Sequence, residues 1–243
     1  MALSEVTRRG FLLAALPLWI GAAYRKVELT GVPMEVLKNG RSKRRYLLIH
    51  GNEQTAREVL QAHMKTHKGI AHLVTGKQRN IPVEGGVLDP NRMFSRVGAE
   101  KNLKTLNPSF TAAQVNTVLA RLDKRRGQLV KALLPPSGGL LVAVHNNSQG
   151  YSVEAEVPIS DQVALNDKKN PHEFFLTVQE PDYRLLAKSP YNVVLQNKVP
   201  PDDDGSLSRL AAKQRVRYVN LEVALGKRQK QKEMLEWLER NLP

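Results

Sequence analysis

The chain has 243 residues, 41% of them hydrophobic, which suits one domain large enough to bury its own core without disulfides. It has no cysteine, so a four-thiolate structural zinc is excluded and any metal must be held by His, Asp or Glu. A formal charge of +14 points to anionic partners such as nucleic acid, an acidic envelope polymer or small carboxylates, whereas an aromatic content of 5% argues against a base-stacking platform.

In chain order, the first element is a leader. Thr7-Arg8-Arg9-Gly10 opens an apolar run that reaches Ile20, and Gly21-Ala22-Ala23 offers a small-x-small cleavage site. This predicts a twin-arginine-type signal peptide over residues 1–23, periplasmic export and a mature domain over 24–243. The run is too short to span a membrane comfortably; retention as an anchor is the alternative. A buried strand is predicted at Tyr46–Ile49, a helix at Thr55–His67 and a strand at Ile70–Thr75. Ile81–Pro90 reads as a loop, Thr111–Lys131 as a helix, Pro135–Gly139 as a loop and Leu140–Val144 as a strand. Asn192–Leu195 is a further strand, Pro200–Gly205 a loop, Ser206–Arg215 a helix and Tyr218–Leu221 a strand. Gln229–Leu242 closes the chain as a helix with Met234, Leu235, Trp237 and Leu238 as its apolar stripe. Strands alternating with helices predict a single α/β domain with a mainly parallel mixed sheet flanked by helices. The charge runs Lys124-Arg125-Arg126 and Lys227–Lys232 read as solvated helix faces.

Three strand ends carry metal-type or acid-type residues. Tyr46–Ile49 runs into His50-Gly51-Asn52-Glu53, Leu140–Val144 into His145, and Tyr218–Leu221 into Glu222. A catalytic zinc takes about three protein ligands and keeps an open position, and His50, Glu53 and His145 make such a set. Glu222, a carboxylate inside an apolar strand, is costly without a task, and taking the proton from an activated water is one. Asp89-Pro90-Asn91-Arg92-Met93-Phe94 supplies an Asn-Arg pair suited to gripping a carboxylate, and Arg79 is a second cation for a developing oxyanion. His63 and His67 share a helix face but lack the Glu of HExxH, so they read as structural, as do His72 and His172.

HGNE after a buried strand, then DPNRMF, a lone His at a strand end and a Glu at a later one together resemble the zinc carboxypeptidase-like superfamily, with its succinylglutamate desuccinylase/aspartoacylase and murein-peptide amidase branches. The resemblance covers about residues 44–225 in pieces. It implies a Zn2+ metallopeptidase or amidase with His50, Glu53 and His145 as ligands, Asn91 and Arg92 on the substrate carboxylate, Glu222 as general base and Arg79 at the transition state. Tyr191 is a candidate for the tyrosine that caps the substrate in digestive carboxypeptidases. The implied function is cleavage of an amide next to a carboxylate, on cell-envelope peptides such as those of peptidoglycan. The alternatives are an N-acyl amino acid deacylase and a catalytically inactive basic binding module.

Overall fold

The computed structural model describes residues 23–29, 31–148, 150–198 and 201–243. Apart from Ala23, the predicted leader lies outside them. Strands β1 (Ala23–Leu29), β2 (Val32–Asn39) and β3 (Arg45–Leu48) come first, followed by helix α1 (Gln54–His63) and strand β4 (Gly69–Val74). The hairpin β5 (Ile81–Val83) and β6 (Gly86–Leu88) leads to α2 (Arg96–Leu106), α3 (Ala112–Leu133) and β7 (Leu141–Asn147). Then come α4 (Val153–Glu156), β8 (Gln162–Ala164), β9 (Phe174–Thr177), α5 (Glu180–Leu186) and β10 (Asn192–Leu195). Helix α6 (Leu207–Gln214), β11 (Tyr218–Ala224) and α7 (Arg228–Asn241) end the chain.

Nine strands form one mixed sheet in the order β1-β2-β4-β3-β7-β11-β9-β10-β8. Its centre, β4-β3-β7-β11, is parallel, as the alternation of strands and helices predicts. The flanks are where the sheet departs from a parallel array: β1-β2, β2-β4, β11-β9 and β10-β8 pair antiparallel. Alternation along the central strands divides the core in two. Leu47, Leu141, Ala143 and Tyr218 face α2, α3 and α6, whereas Tyr46, Leu48, Val142 and Val144 face α1, α5 and α7. Both layers are closed by helices, so the central strands are apolar on both sides, which is why they read as continuous runs.

Several elements differ from the sequence reading. β7 and β11 run three residues beyond their apolar segments, so His145 and Glu222 lie within strands, and the ladder continues through Glu222↔His145 to Ala224↔Asn147. A criterion built on apolar runs stops at the first polar residue, but a central strand is paired on both sides and carries its polar residues on. Ile81–Pro90 is not simply a loop; it holds the β5-β6 hairpin. Helix α1 stops at His63, whose carbonyl is taken by the N–H groups of Thr66 and His67. The edge pair β1-β2 escapes the sequence reading because Arg25, Lys26 and Glu28 interrupt its hydrophobic pattern.

Candidate functional site

Three adjacent parallel strands, β3, β7 and β11, bring the candidate residues together near their C-terminal ends, where open α/β sheets gather ligands. His50 follows β3, and Glu53 is the residue at which α1 begins. Gly51 between them cannot be larger: a Cβ there would stand 2.7 Å from the carbonyl of Gln78, so the glycine lets the segment carrying Arg79 lie against the site. His145 and Glu222 pair side by side on β7 and β11, and the two-residue period sets Tyr218, Asn220 and Glu222 on one face of β11.

His50, Glu53 and His145 are all buried, and one ligand atom from each lies within 4.8 Å of the others. His50 Nδ1 is 2.7 Å from Glu53 Oε1, and His145 Nδ1 is 3.2 Å from Glu53 Oε2. Glu53 Oε2 lacks a hydrogen-bonding partner of good geometry despite its burial. On the far side of His50, Nε2 is 3.0 Å from Asp89 Oδ1. A proton on Nε2, donated to Asp89, leaves the Nδ1 lone pair aimed at an ionised carboxylate. That tautomer frees Nδ1 to ligate, and His–carboxylate pairing of this kind is how outer residues orient a metal-binding imidazole. The donor set and the unpartnered oxygen therefore fit a zinc-type ion held by His50, Glu53 and His145.

The same crowding sets the electrostatics. Burial raises the Glu53 carboxyl, but His145 and His50 outweigh it and bring it down to about 2. Burial disfavours charge on His145, yet Glu53 beside it raises the imidazole to about 9. Burial also pushes Glu222 up to about 7, only partly opposed by His145. Asn220 Nδ2 donates to Glu222 Oε1 at 3.1 Å, while the buried Asn220 Oδ1 has no partner. A carboxyl poised near neutrality, held by a neighbour and standing beside a metal-type cluster at the cavity wall is equipped to move protons.

The cavity measures about 450 Å³ and is lined by all seven candidate residues: His50, Glu53, Arg79, Asn91, Arg92, His145 and Glu222. Arg79 is half exposed and reaches Asp89 Oδ2 at 3.2 Å. The side-chain Oδ1 of Asn91 accepts from Leu207 N at 3.1 Å, so its Nδ2 is the group left for a ligand. Arg92 Nη1 donates to the Asn91 carbonyl at 3.0 Å and lies 3.8 Å from Asp204. Gly205 supports this pair from below: its φ of +74° and a would-be Cβ contact of 2.3 Å to the Arg92 carbonyl admit no side chain.

Some expectations need correction. Tyr191 does not line the cavity; it packs edge-on against Phe175 at 5.7 Å on the opposite face of the sheet. Tyr151 and Tyr218 are the tyrosines at the cavity wall. His63 and His67, read as structural, stack on each other at 3.9 Å between centroids. The charge runs are not wholly solvated: Arg126 Nε donates to the Met93 carbonyl at 2.8 Å, and Gln231, fully buried, donates to the His145 carbonyl at 2.8 Å. Asp89, Asn220, Gln231 and Arg209 are site residues that the sequence reading missed. Asp89 alone had a local signal, as an acid two residues before Asn91.

No family model matches the chain, and no curated protein matches it. Among solved structures, it resembles a succinylglutamate desuccinylase/aspartoacylase from Rhodobacter sphaeroides, with 16% identity and a TM-score of 0.46 over 90% of this chain and 65% of that one. It also resembles a "putative metallopeptidase" from Shewanella amazonensis SB2B, with 8% identity and a TM-score of 0.42 over 90% of this chain and 87% of that one. The chain thus spans about two thirds of the first neighbour's length. With likenesses this distant, the functional reading stands on the side chains of the site.

Proposed function

We propose that this chain is a zinc-dependent hydrolase that cleaves an amide bond next to a substrate carboxylate. The observation that carries the reading is the buried His50–Glu53–His145 cluster with Glu222 on the neighbouring strand and an Asn-Arg pair in the same cavity. When bound, zinc supplies Lewis-acid polarisation of the scissile carbonyl and acidifies water. Asn91 and Arg92 hold the substrate carboxylate and so fix the amide beside the cluster. Glu222, oriented by Asn220, accepts a proton from the attacking water and returns it to the leaving nitrogen. Arg79, tethered by Asp89, is the cation available to the developing oxyanion.

We further propose that the substrates are cell-envelope peptides, a reading supported by the basic charge and by the Arg8-Arg9 leader. Among the described residues, no helix is long and apolar enough to cross a membrane. The experiment is metal content together with turnover. Wild-type protein is expected to hold about one zinc per chain, as an open three-ligand site does, and to lose activity to a chelator. His145→Ala is expected to lose most of that zinc. Peptides and N-acyl amino acids of matched C-terminus then separate a peptidase from a deacylase. Full zinc retention in His145→Ala, or hydrolysis untouched by chelation, refutes the reading.

A further inference from the structure

The site occupies the C-terminal ends of the parallel strands, and the opposite end of the sheet has a chemistry of its own. There β3 starts at Arg45, β4 at Gly69, β7 at Leu141 and β11 at Tyr218. The turn from β2 into β3 carries the run Lys38-Asn39-Gly40-Arg41-Ser42-Lys43-Arg44-Arg45, which holds five cations and no acid. The loop after α1 adds Lys65 and Lys68 beside it, again without an acid. The two segments are tied together. Asn39 Nδ2 donates to the Met64 carbonyl at 3.1 Å, and a Cβ on Gly40 would stand 3.0 Å from Lys68 Cγ, so the lysine stem lies across the glycine.

The cations of this end divide by task. Arg44 pairs with Glu239 at 3.2 Å, Arg217 with Asp182 at 2.7 Å and with the Pro243 carbonyl at 2.9 Å, and Arg45 donates to carbonyls of its own turn. These hold the fold. Lys38, Arg41, Lys43, Lys65 and Lys68 are exposed and, among the described residues, make no ion pair. Lys43 donates to the Ser137 carbonyl at 3.1 Å, and Lys65 follows the C-terminus of α1, where a cation is favoured, so those two are accounted for in part. The patch as a whole is like charge gathered on adjoining loops, which repels itself until an anionic partner offsets it.

A second observation comes from the path of the chain. β1 begins at Ala23, which pairs with Lys38, so the residues before it leave the fold at this same end. They include the apolar run from Phe11 to Ile20. Tyr24, 56% exposed, stands beside that exit. An apolar segment next to a polybasic patch is the pair of signals that stable membrane attachment takes, and an exposed tyrosine suits the boundary between lipid and water. A nucleic acid would use the cations but not the apolar run, and one aromatic ring is no base-stacking platform.

We propose that this end of the sheet rests on an anionic phospholipid surface, with Lys38, Arg41, Lys43, Lys65 and Lys68 against the phosphate headgroups. The cavity then faces away from the bilayer, and the lipid is a tether and not the substrate. The five cations follow the predicted cleavage site, so the patch stays with the domain whether the leader is kept or removed. The inference does not depend on the hydrolase reading.

The test is flotation of the full-length protein with phosphatidylglycerol vesicles and with phosphatidylcholine vesicles, at low salt and at about 0.5 M salt, where charge attraction is screened. Binding to the anionic vesicles is expected to exceed binding to the neutral ones by about tenfold or more, and to fall to the neutral level in high salt. The triple variant Lys38→Gln, Arg41→Gln, Lys65→Gln is expected to lose about tenfold or more on anionic vesicles. Lys168, Lys169 and Lys188 are exposed on loops at the cavity end, before β9 and β10. Changing those three to Gln removes the same charge and is expected to cost about threefold at most. Equal losses in the two triples assign the effect to net charge and overturn the patch. Equal binding to anionic and neutral vesicles leaves the apolar run as the attachment and overturns it as well. Tighter binding to duplex DNA than to vesicles at matched phosphate concentration, lost in the Lys38, Arg41 and Lys65 triple, reassigns the surface to nucleic acid and overturns the lipid reading.

Discussion

Two histidine–glutamate clusters lie on opposite faces of the same sheet, one fully buried and one partly so, and they are built to different standards. On the α1–α7 side, Glu239 Oε1 accepts from Tyr46 at 2.6 Å, and the carboxylate is ion-paired with Arg44 at 3.2 Å, with His63 3.6 Å away. On the other side, Glu53 and Asn220 each keep a buried oxygen without a hydrogen-bonding partner, and both residues line the cavity. The first cluster joins the C-terminal helix to α1 and borders no cavity described above. The second brings three ligand-type side chains to one point at the wall of a cavity of about 450 Å³, a place suited to a cation and a substrate. Burial of a His and a Glu together is therefore not the mark of a reactive centre; an unfilled acceptor beside a cavity is.

Substitutions can break this contrast. The largest effect is expected at Glu222. Glu222→Gln should lower kcat by about 10²–10⁴-fold, the range for a lost acid–base group, while zinc content stays at the wild-type level. Its melting temperature at pH 8 should match or exceed the wild type. Burial raises this carboxyl to about 7, so the fold disfavours the ionised form above its ordinary value, and an amide removes that cost. A zinc-loaded variant with wild-type turnover would end the role of Glu222. Next, Arg92→Ala should lose about 2–4 kcal/mol in kcat/KM, because a bound carboxylate is left without its partner. Amidated substrates should be correspondingly poor for the wild type; equal rates on acid and amide would remove the clamp.

The opposite cluster should respond in the other currency. Glu239→Gln should cost about 1–3 kcal/mol of stability by denaturant titration, with kcat and zinc unchanged, because hydrogen bonds to a charged acceptor are weakened. A change in zinc content there would blur the two clusters into one system. The smallest effect is a pH dependence. Burial lowers His63 below its usual 6.5, although Glu239 pulls the other way and His67 and Arg44 also face it. Glu239 itself, raised by burial but lowered more by His63, Tyr46 and Arg44, sits below its usual value. Both groups thus add stability near neutrality. The His63 share is lost as pH falls below about 6.5, and the Glu239 share only as pH falls through its lowered value. Replacing His63 by Gln should flatten the upper part of that decline by less than about 1 kcal/mol; an unchanged pH profile would mean that His63 contributes nothing to it.

How far the site was legible follows from where each residue sits. His50, Glu53, His145 and Glu222 interrupt or end apolar runs, and a polar residue in a buried strand is visible without coordinates. Asn91 and Arg92 stand out as a compact polar motif after a glycine-rich stretch. Asn220 was hidden because its meaning depends on sharing a face with Glu222, which is apparent only once β11 is known to extend past Leu221. Gln231 and Arg209 were hidden because they lie in segments that read as ordinary charged helix. Tyr191 misled for the converse reason: a tyrosine beside a strand carries no signal of which face it occupies. The parallel centre of the sheet followed from alternation, but the antiparallel flanks depend on edge strands whose pattern is broken by charge.

One tie described above bears on how the molecule is made. The residue that fixes the backbone of His145 is Gln231, in the last helix, and β11, the strand between β7 and β9, is the last strand of the chain. During synthesis, all three metal-type residues leave the ribosome well before the groups that lock them in place. A chain cut short before β11 would carry two histidines and a glutamate on a sheet with a gap in its middle, with β7 and β9 left as unpaired inner edges and the His145 carbonyl without Gln231.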